Sequence, residues 1–147
     1  MAEDQEANAQ DVIMQLRYLQ NLYTQQYESL QNSITSYSLS ATALQRNIDL
    51  LVRYNMVQDS NIMISGEGGV YVPGKIGKSE QVLTYVGGGY LIEQEPAKAL
   101  EFMRENQKKG EAALSRMLSD KKKLEGELLD IDYKLNALEY QQQGRRQ

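Results

Sequence analysis

The sequence predicts a mostly helical α+β fold: a long antiparallel two-helix coiled coil with two β-hairpins inserted between the helices. Three observations predict it. Both prolines, Pro73 and Pro96, and all but three of the 11 glycines lie between residues 66 and 96. The flanks are almost free of these helix breakers, residues 2–65 carrying neither Gly nor Pro. Both flanks repeat apolar residues at steps of three and four, the seam of a coiled coil, whereas the interval between them is cut into short β-type runs.

The first helix is expected over about residues 10–58. Its seam reads Val12, Leu16, Leu19, Tyr23, Tyr27, Leu30, Ile34, Tyr37, Ala41, Leu44, Ile48 and Leu51. Two successive steps of four at Leu19–Tyr23–Tyr27 make a stutter, which relaxes a left-handed supercoil. The second helix is expected over 96–140, with Pro96 at its opening, where proline is tolerated. Its seam reads Leu100, Met103, Gln107, Gly110, Leu114, Met117, Lys121, Leu124, Leu128, Ile131, Leu135 and Leu138. Folded back on one another, the two series pair with residue numbers summing to 150 or 151, so that Leu51 faces Leu100 and Val12 faces Leu138. The small residues Ala41 and Gly110 then share a layer. The match favours an intramolecular hairpin of helices, roughly 60 Å long at 1.5 Å per residue. Residues 1–57 carry nine charges and residues 97–147 carry 20 of alternating sign, a pattern of solvated faces that includes Lys121–Lys123. The polar tails, 1–9 and 141–147, are expected to be flexible.

Residues 60–94 form the insert. Short β-type runs at 62–65, 70–72, 82–86 and 90–93 are separated by Gly-rich turns. Ile64 to Gly68 is echoed 21 residues later by Tyr85 to Gly89, which suggests tandem hairpins. Gly66, Gly68, Gly87 and Gly89 are expected at their turns, where positive φ is needed. Ile62, Ile64, Val70, Val72, Val82, Thr84, Val86 and Leu91 are candidates for pairing between subunits. Isolated hairpins are marginal in water and leave open edges, so so thin a chain is expected to oligomerise through them.

Composition excludes whole classes of chemistry. The 147 residues make one domain, with no Cys, His or Trp and a net charge of −4. Zinc, iron–sulfur, thiol and imidazole chemistry are therefore out of reach, and no metal or cofactor is expected. The negative charge argues against sequence-independent nucleic-acid binding. No run approaches the ~18–20 apolar residues of a membrane span, and the polar N-terminus is unlike a signal peptide, so a cytoplasmic protein is expected. Gly77-Lys78-Ser79 mimics the end of a P-loop, but the glycine required at position 72 is Val. Dinucleotide-binding spacing fails at Tyr71 and at Ile92. The paired carboxylates Asp130/Asp132 and Glu125/Glu127 do not share a helix face. No enzymatic activity is expected.

Helix, two hairpins, helix, with Gly66-Glu67-Gly68 and Gly87-Gly88-Gly89 at the paired turns, resembles the α-class subunits of prefoldin. The stretch Val70-Tyr71-Val72-Pro73-Gly74-Lys75-Ile76, followed by Val82-Leu83 and Val86-Gly87-Gly88-Gly89-Tyr90, is similar to that family's most characteristic segment. The Tyr71–Lys75 run is shared by archaeal α subunits and the eukaryotic fifth subunit. The resemblance implies an ATP-independent holdase. Its partners would be β-class subunits, in a hexamer of two α and four β chains whose hairpins form β-barrels. The coiled-coil tips would capture non-native proteins and deliver them to a group II chaperonin. The competing reading from the residues alone is a homo-oligomeric coiled-coil scaffold, spacer or filament protein without clients.

Independently of the family, apolar residues remain once the seam is removed. Ile13, Met14, Tyr18 and Leu22 on the first helix, and Leu129, Tyr133, Ala137 and Tyr140 on the second, fall at the same open tip in the antiparallel register. They either form a promiscuous contact surface, for which adaptable Met and amphipathic Tyr are suited, or thicken the core of the tip.

Overall fold

The computed structural model describes residues 2–78 and 80–145. Among the described residues the elements follow in the order α1 (Ala2–Val52), α2 (Tyr54–Val57), β1 (Asn61–Ser65), a 3₁₀ turn (Glu67–Gly69), β2 (Tyr71–Lys75), β3 (Val82–Gly87), β4 (Tyr90–Gln94) and α3 (Pro96–Arg145). The chain divides into two compact units, one joining residues up to Ser38 with residues from Ala112 onward, the other Leu39–Glu111. No helix among the described residues is long and apolar enough to cross a membrane.

The helices exceed their expected bounds of 10 and 140. Residues 2–10 and 141–145 contain good helix formers and, before Gly144, no breaker, so α1 and α3 continue through them; Met1 and residues 146–147 lie outside the described residues. At the other end α1 is shorter than expected. Arg53 leaves the helix at φ −94° and ψ 0°, its N–H shared between the carbonyls of Asp49 and Leu50 at 3.2 Å each. A single further turn, α2, runs to Val57, and Asp59 adopts φ 60°, a conformation that Asp tolerates better than most residues.

In the first unit the two helices run antiparallel, as the polar pairs between them demonstrate. Arg17 donates to Glu139 at 2.7 Å and Tyr27 to Glu125 at 3.1 Å, with Gln20 bonded to Asp132 between them. Lys121 lies 5.4 Å from the centre of the Tyr27 ring and 3.9 Å from Glu125. The buried core comprises Ile13, Ile131 and Leu135, with Leu16, Leu19, Tyr23 and Leu138 packed against it. Ile34 is buried as well. This core corrects the expected seam. Val12 is 39% exposed and Ile13 only 9%, so the seam runs Ile13, Leu16, Gln20, Tyr23, Tyr27, Leu30, Ile34, all buried or half-buried, in regular steps of three and four without a stutter. The expected stutter arose from passing over Gln20, a polar residue that takes a seam position because its amide finds Asp132.

In the second unit, Gln107 donates to Gln45 at 2.6 Å, and Ile48 and Ala99 are buried. Pro96 begins α3, and the preceding Glu95 carbonyl accepts the first helical bond from Ala99 N–H at 3.0 Å. The strands form two separate antiparallel pairs, β1–β2 and β3–β4. In the first, Asn61 faces Lys75 and Ser65 faces Tyr71, and bonds from Asp59 N–H to the Ile76 carbonyl (2.8 Å) and from Ile76 N–H to the Ser60 carbonyl (3.1 Å) extend the ladder. In the second, a bulge at Val86 precedes the Gly87–Tyr90 pair, leaving Gly88 and Gly89 as a two-residue turn with φ 62° and 82°, the sign that a type I′ turn requires at both positions.

Candidate functional site

Among the apolar residues exposed in the described part of the chain, two groups, one on each unit, are built from residues that the sequence singled out. The first lies at the end of the helix pair that carries the N-terminal part of α1 and the C-terminal part of α3. Leu129, Tyr133, Ala137 and Tyr140 are exposed, Tyr133 and Tyr140 at 76% and 80%. With 3.6 residues per turn, their steps of four, four and three place them on one stripe, on the face of α3 opposite Ile131 and Leu135. On α1, Met14 and Tyr18 are likewise exposed and Leu22 just over one-third so, again on the face away from the seam. The α3 stripe therefore occupies the back of its helix, whereas on α1 Met14 also borders the groove between the two helices at this end. Ile13 does not join them: it is one residue out of phase and is held in the core by Ile131 and Leu135.

Charges beside the stripes are neutralised locally. Lys134 pairs with Asp130 at 2.7 Å, and Arg17 with Glu139 at 2.7 Å, so Leu129, Tyr133 and Met14 are set in a surface of little net charge. Deeper along the seam, the neighbouring Glu127 carboxylate raises the Tyr23 phenol above its ordinary value of 10.0, by its charge, by accepting the phenolic hydrogen bond and through desolvation. The Arg17–Glu139 and Tyr23–Glu127 contacts tie one helix to the other.

Between the helices at the same end lies a groove of about 530 Å³ lined by Gln10, Ile13, Met14, Arg17, Glu139, Gln142 and Gln143. Residues 10, 13, 14 and 17 of α1 and 139, 142 and 143 of α3 have the i, i+3, i+4 spacing of a single helix face. The sequence reading missed Gln142 and Gln143 because it ended the second helix at 140, and Gln10 because a polar residue at the start of the first helix carries no apolar signal. The continuation of the seam from Leu138 to half-buried Gln142, four residues on and before any breaker, was the signal that identifies them.

The second surface is on the hairpins. Ile64, Val70, Val72, Val86 and Leu91 are exposed, and Ile62 and Val82 half-buried. Both faces carry apolar side chains: Ile64 and Val72 on one face of β1–β2 and Met63 and Tyr71 on the other, all exposed. Thr84 departs from the expected set. It is 2% exposed, and its hydroxyl accepts a 2.9 Å bond from the Gln94 amide, which consumes it within the chain. Among the turn glycines, Gly68, Gly87 and Gly89 have positive φ, but Gly66 is extended at φ −94°; its N–H bonds to the Val70 carbonyl at 2.8 Å to close the turn. A glycine that the sequence reading left in a linker, Gly74, lies inside β2, where an added Cβ would stand 2.7 Å from Ile64 Cδ1.

Comparison with known proteins gives a consistent picture. A family model described as Prefoldin subunit matches residues 23–141. A protein named Prefoldin subunit alpha from Thermoplasma acidophilum is 24% identical over 116 residues, covering 79% of this chain and 86% of its own. Another of the same name from Archaeoglobus fulgidus is 24% identical over 131 residues, covering 84% and 93%. In fold, the chain is similar to a filamentous PFD from Methanocaldococcus jannaschii solved by cryo-EM, with a TM-score of 0.54, 18% identity and coverage of 81% of this chain and 93% of that one.

Proposed function

The chain belongs to the prefoldin family, and from that premise we propose that it is the α-class subunit of an ATP-independent holdase that captures non-native proteins on the stripes of its helix pair. The family carries a chaperone-type function and is not a family of enzymes. The observation that carries the client-binding reading is the stripe Leu129–Tyr133–Ala137–Tyr140: apolar and aromatic side chains in regular helical spacing, exposed, and not needed by the core beneath them. Such a surface offers contact area without demanding a particular partner sequence, and the paired charges around it add no selectivity of sign.

The α assignment is supported by two hairpins rather than one and by relatives named as alpha subunits. Each of the four strands has one unpaired edge within the chain, and edges of this kind are completed by further strands. In the proposed assembly two copies join four β-class chains, and their hairpins close into barrels. The captured protein is passed to a group II chaperonin in the cytoplasm.

Open edges equally permit endless addition, and the similar Methanocaldococcus jannaschii protein was solved as a filament, so a homo-oligomeric scaffold without clients is the second reading. The native mass of the tagged chain recovered from its own cells separates them. Six chains, two of this protein with four of a smaller coiled-coil partner, support the holdase; a homopolymer of indefinite mass supports the scaffold. In the recovered complex, Met14→Ser, Tyr133→Ser and Tyr140→Ser together should leave assembly intact while client proteins aggregate as if no chaperone were present. Unchanged suppression of aggregation would overturn the client-binding role of the stripes.

A further inference from the structure

The chain carries six methionines and no cysteine, so thioether sulfur is where an oxygen-donating oxidant such as hydrogen peroxide is spent. Among the described methionines, Met14, Met56 and Met63 are exposed, at 65%, 81% and 63%, whereas Met103 and Met117 are half-buried. Of these, Met14 alone stands on the stripes of the helix pair. We infer that Met14 is a reversible oxidation site whose sulfoxide turns from the stripe into the neighbouring groove and so weakens the stripe's hold on apolar partners; the consequence for capture rests on the holdase reading above.

The chemistry balances simply. Hydrogen peroxide gives one oxygen atom to Met14 Sδ: an S–O bond forms, the O–O bond breaks and water leaves. Sulfur is oxidised and peroxide reduced by the same electron pair. In the reverse step a dithiol supplies that pair with two protons, becomes a disulfide and releases the oxygen as water. The chain has no Cys, so the dithiol belongs to a separate reductase of the methionine sulfoxide class.

What distinguishes Met14 is its position between two chemistries. One turn onward along α1 stands Tyr18, exposed on the same stripe. One turn back stands Gln10, on the groove that Met14 also borders. A thioether is a weak acceptor and suits the apolar stripe. A sulfoxide is polar, and its oxygen accepts hydrogen bonds. The groove offers it donors, the amides of Gln10, Gln142 and Gln143 and the guanidinium of Arg17. That guanidinium donates through one nitrogen to Glu139 at 2.7 Å and carries further N–H groups. The unbranched side chain reaches either side by changing rotamer. Turned into the groove, the sulfoxide leaves Tyr18 and Leu22 without their Met neighbour. Kept on the stripe beneath an apolar partner, it would strand its oxygen away from water. Both outcomes subtract from apolar contact. Met56 lies on α2, in the other unit, and serves as an exposed control.

The experiment treats the assembled protein with hydrogen peroxide for increasing times, and catalase removes the peroxide before any client is added. Peptide mass spectrometry reads the sulfoxide at each methionine. Met14 should oxidise at least about 5-fold faster than Met117; equal rates would overturn the inference. Light scattering from a denatured client then reads capture, each protein being compared with its own untreated sample. The concentration of unaltered protein needed for half-suppression should rise by about 5-fold to 10-fold, the loss expected from one polar group left without a partner. Methionine sulfoxide reductase with dithiothreitol should reverse the rise. Met56→Leu should respond to peroxide as the unaltered protein does, whereas Met14→Leu, which keeps an apolar side chain of similar volume, should not respond. The same loss in treated Met14→Leu would overturn the switch, as would undiminished suppression by protein whose Met14 is oxidised. An untreated protein that suppressed no aggregation would bring down the holdase reading, and the effect on capture with it, while the mass spectra would still decide the oxidation site.

Discussion

Ile13 and Met14 are neighbours in sequence with opposite surroundings, and substituting each by alanine separates stability from capture. Ile13 is 9% exposed and packs on Ile131 and Leu135, whereas Met14 is 65% exposed. Truncating a buried Ile costs about 2–5 kcal/mol, the value depending on how far the site collapses or admits water. The surrounding Leu16, Leu19, Tyr23 and Leu138 are only partly buried, so the vacated space opens to solvent and the low end, about 2–3 kcal/mol, is expected for Ile13→Ala. For a chain of this size that corresponds to a fall in melting temperature of about 5–10 °C. Met14→Ala removes little packed area and replaces Met by the best helix former, so its melting temperature should stay within about 2 °C. Circular dichroism of the assembled protein on heating reads the first quantity, and light scattering from an aggregating client reads the second. Met14→Ala should weaken suppression at temperatures where both variants are folded, and Ile13→Ala should not. An Ile13→Ala protein as stable as the parent, or a Met14→Ala protein as destabilised as Ile13→Ala, would refute the assignment of seam and stripe.

Gly74→Ala should cost the first hairpin less than about 1 kcal/mol, because the new methyl would meet Ile64 Cδ1 at 2.7 Å and Cγ1 at 3.2 Å on an exposed side chain that can turn aside; a larger loss in urea midpoints, recovered by Ile64→Val in a double-mutant cycle, would show that Ile64 is held in place. Tyr23 should ionise at higher pH in the parent than in Glu127→Gln in an ultraviolet titration, since Glu127 raises its folded-state value above 10.0. A group raised in this way contributes stability that is fully present below its unfolded value and lost as pH rises through the folded one, so stability should decline from about pH 10 upward, and Glu127→Gln should flatten that decline.

Much of the fold was legible because its signals are long-range regularities. The long stretches without Gly or Pro and the seams with complementary numbering mark paired helices, and Gly88-Gly89 between apolar runs marks a tight turn. What escaped the sequence were positions where one contact outweighs the pattern. Gln20 sits in the seam because Asp132 receives it, and that single polar residue was enough to shift the expected seam onto Val12 and release Ile13 toward the surface. Pro73 and Gly74 read as punctuation, yet they continue β2; with only two strands in the sheet, β2 has a free edge on which proline is tolerated, and Gly74 leaves room for Ile64.

The candidate surface divides along the same line. Tyr133 and Tyr140 could be found by subtraction, as apolar residues left over from a periodic seam, because exposure follows from helical phase alone. The glutamines of the groove could not be found that way. Gln10, Gln142 and Gln143 carry no periodic apolar signal, and a polar, Gln-rich end has the composition of a frayed tail. Only when α1 and α3 continue as helices do residues 10 and 14 come to face 139 and 143 across the groove.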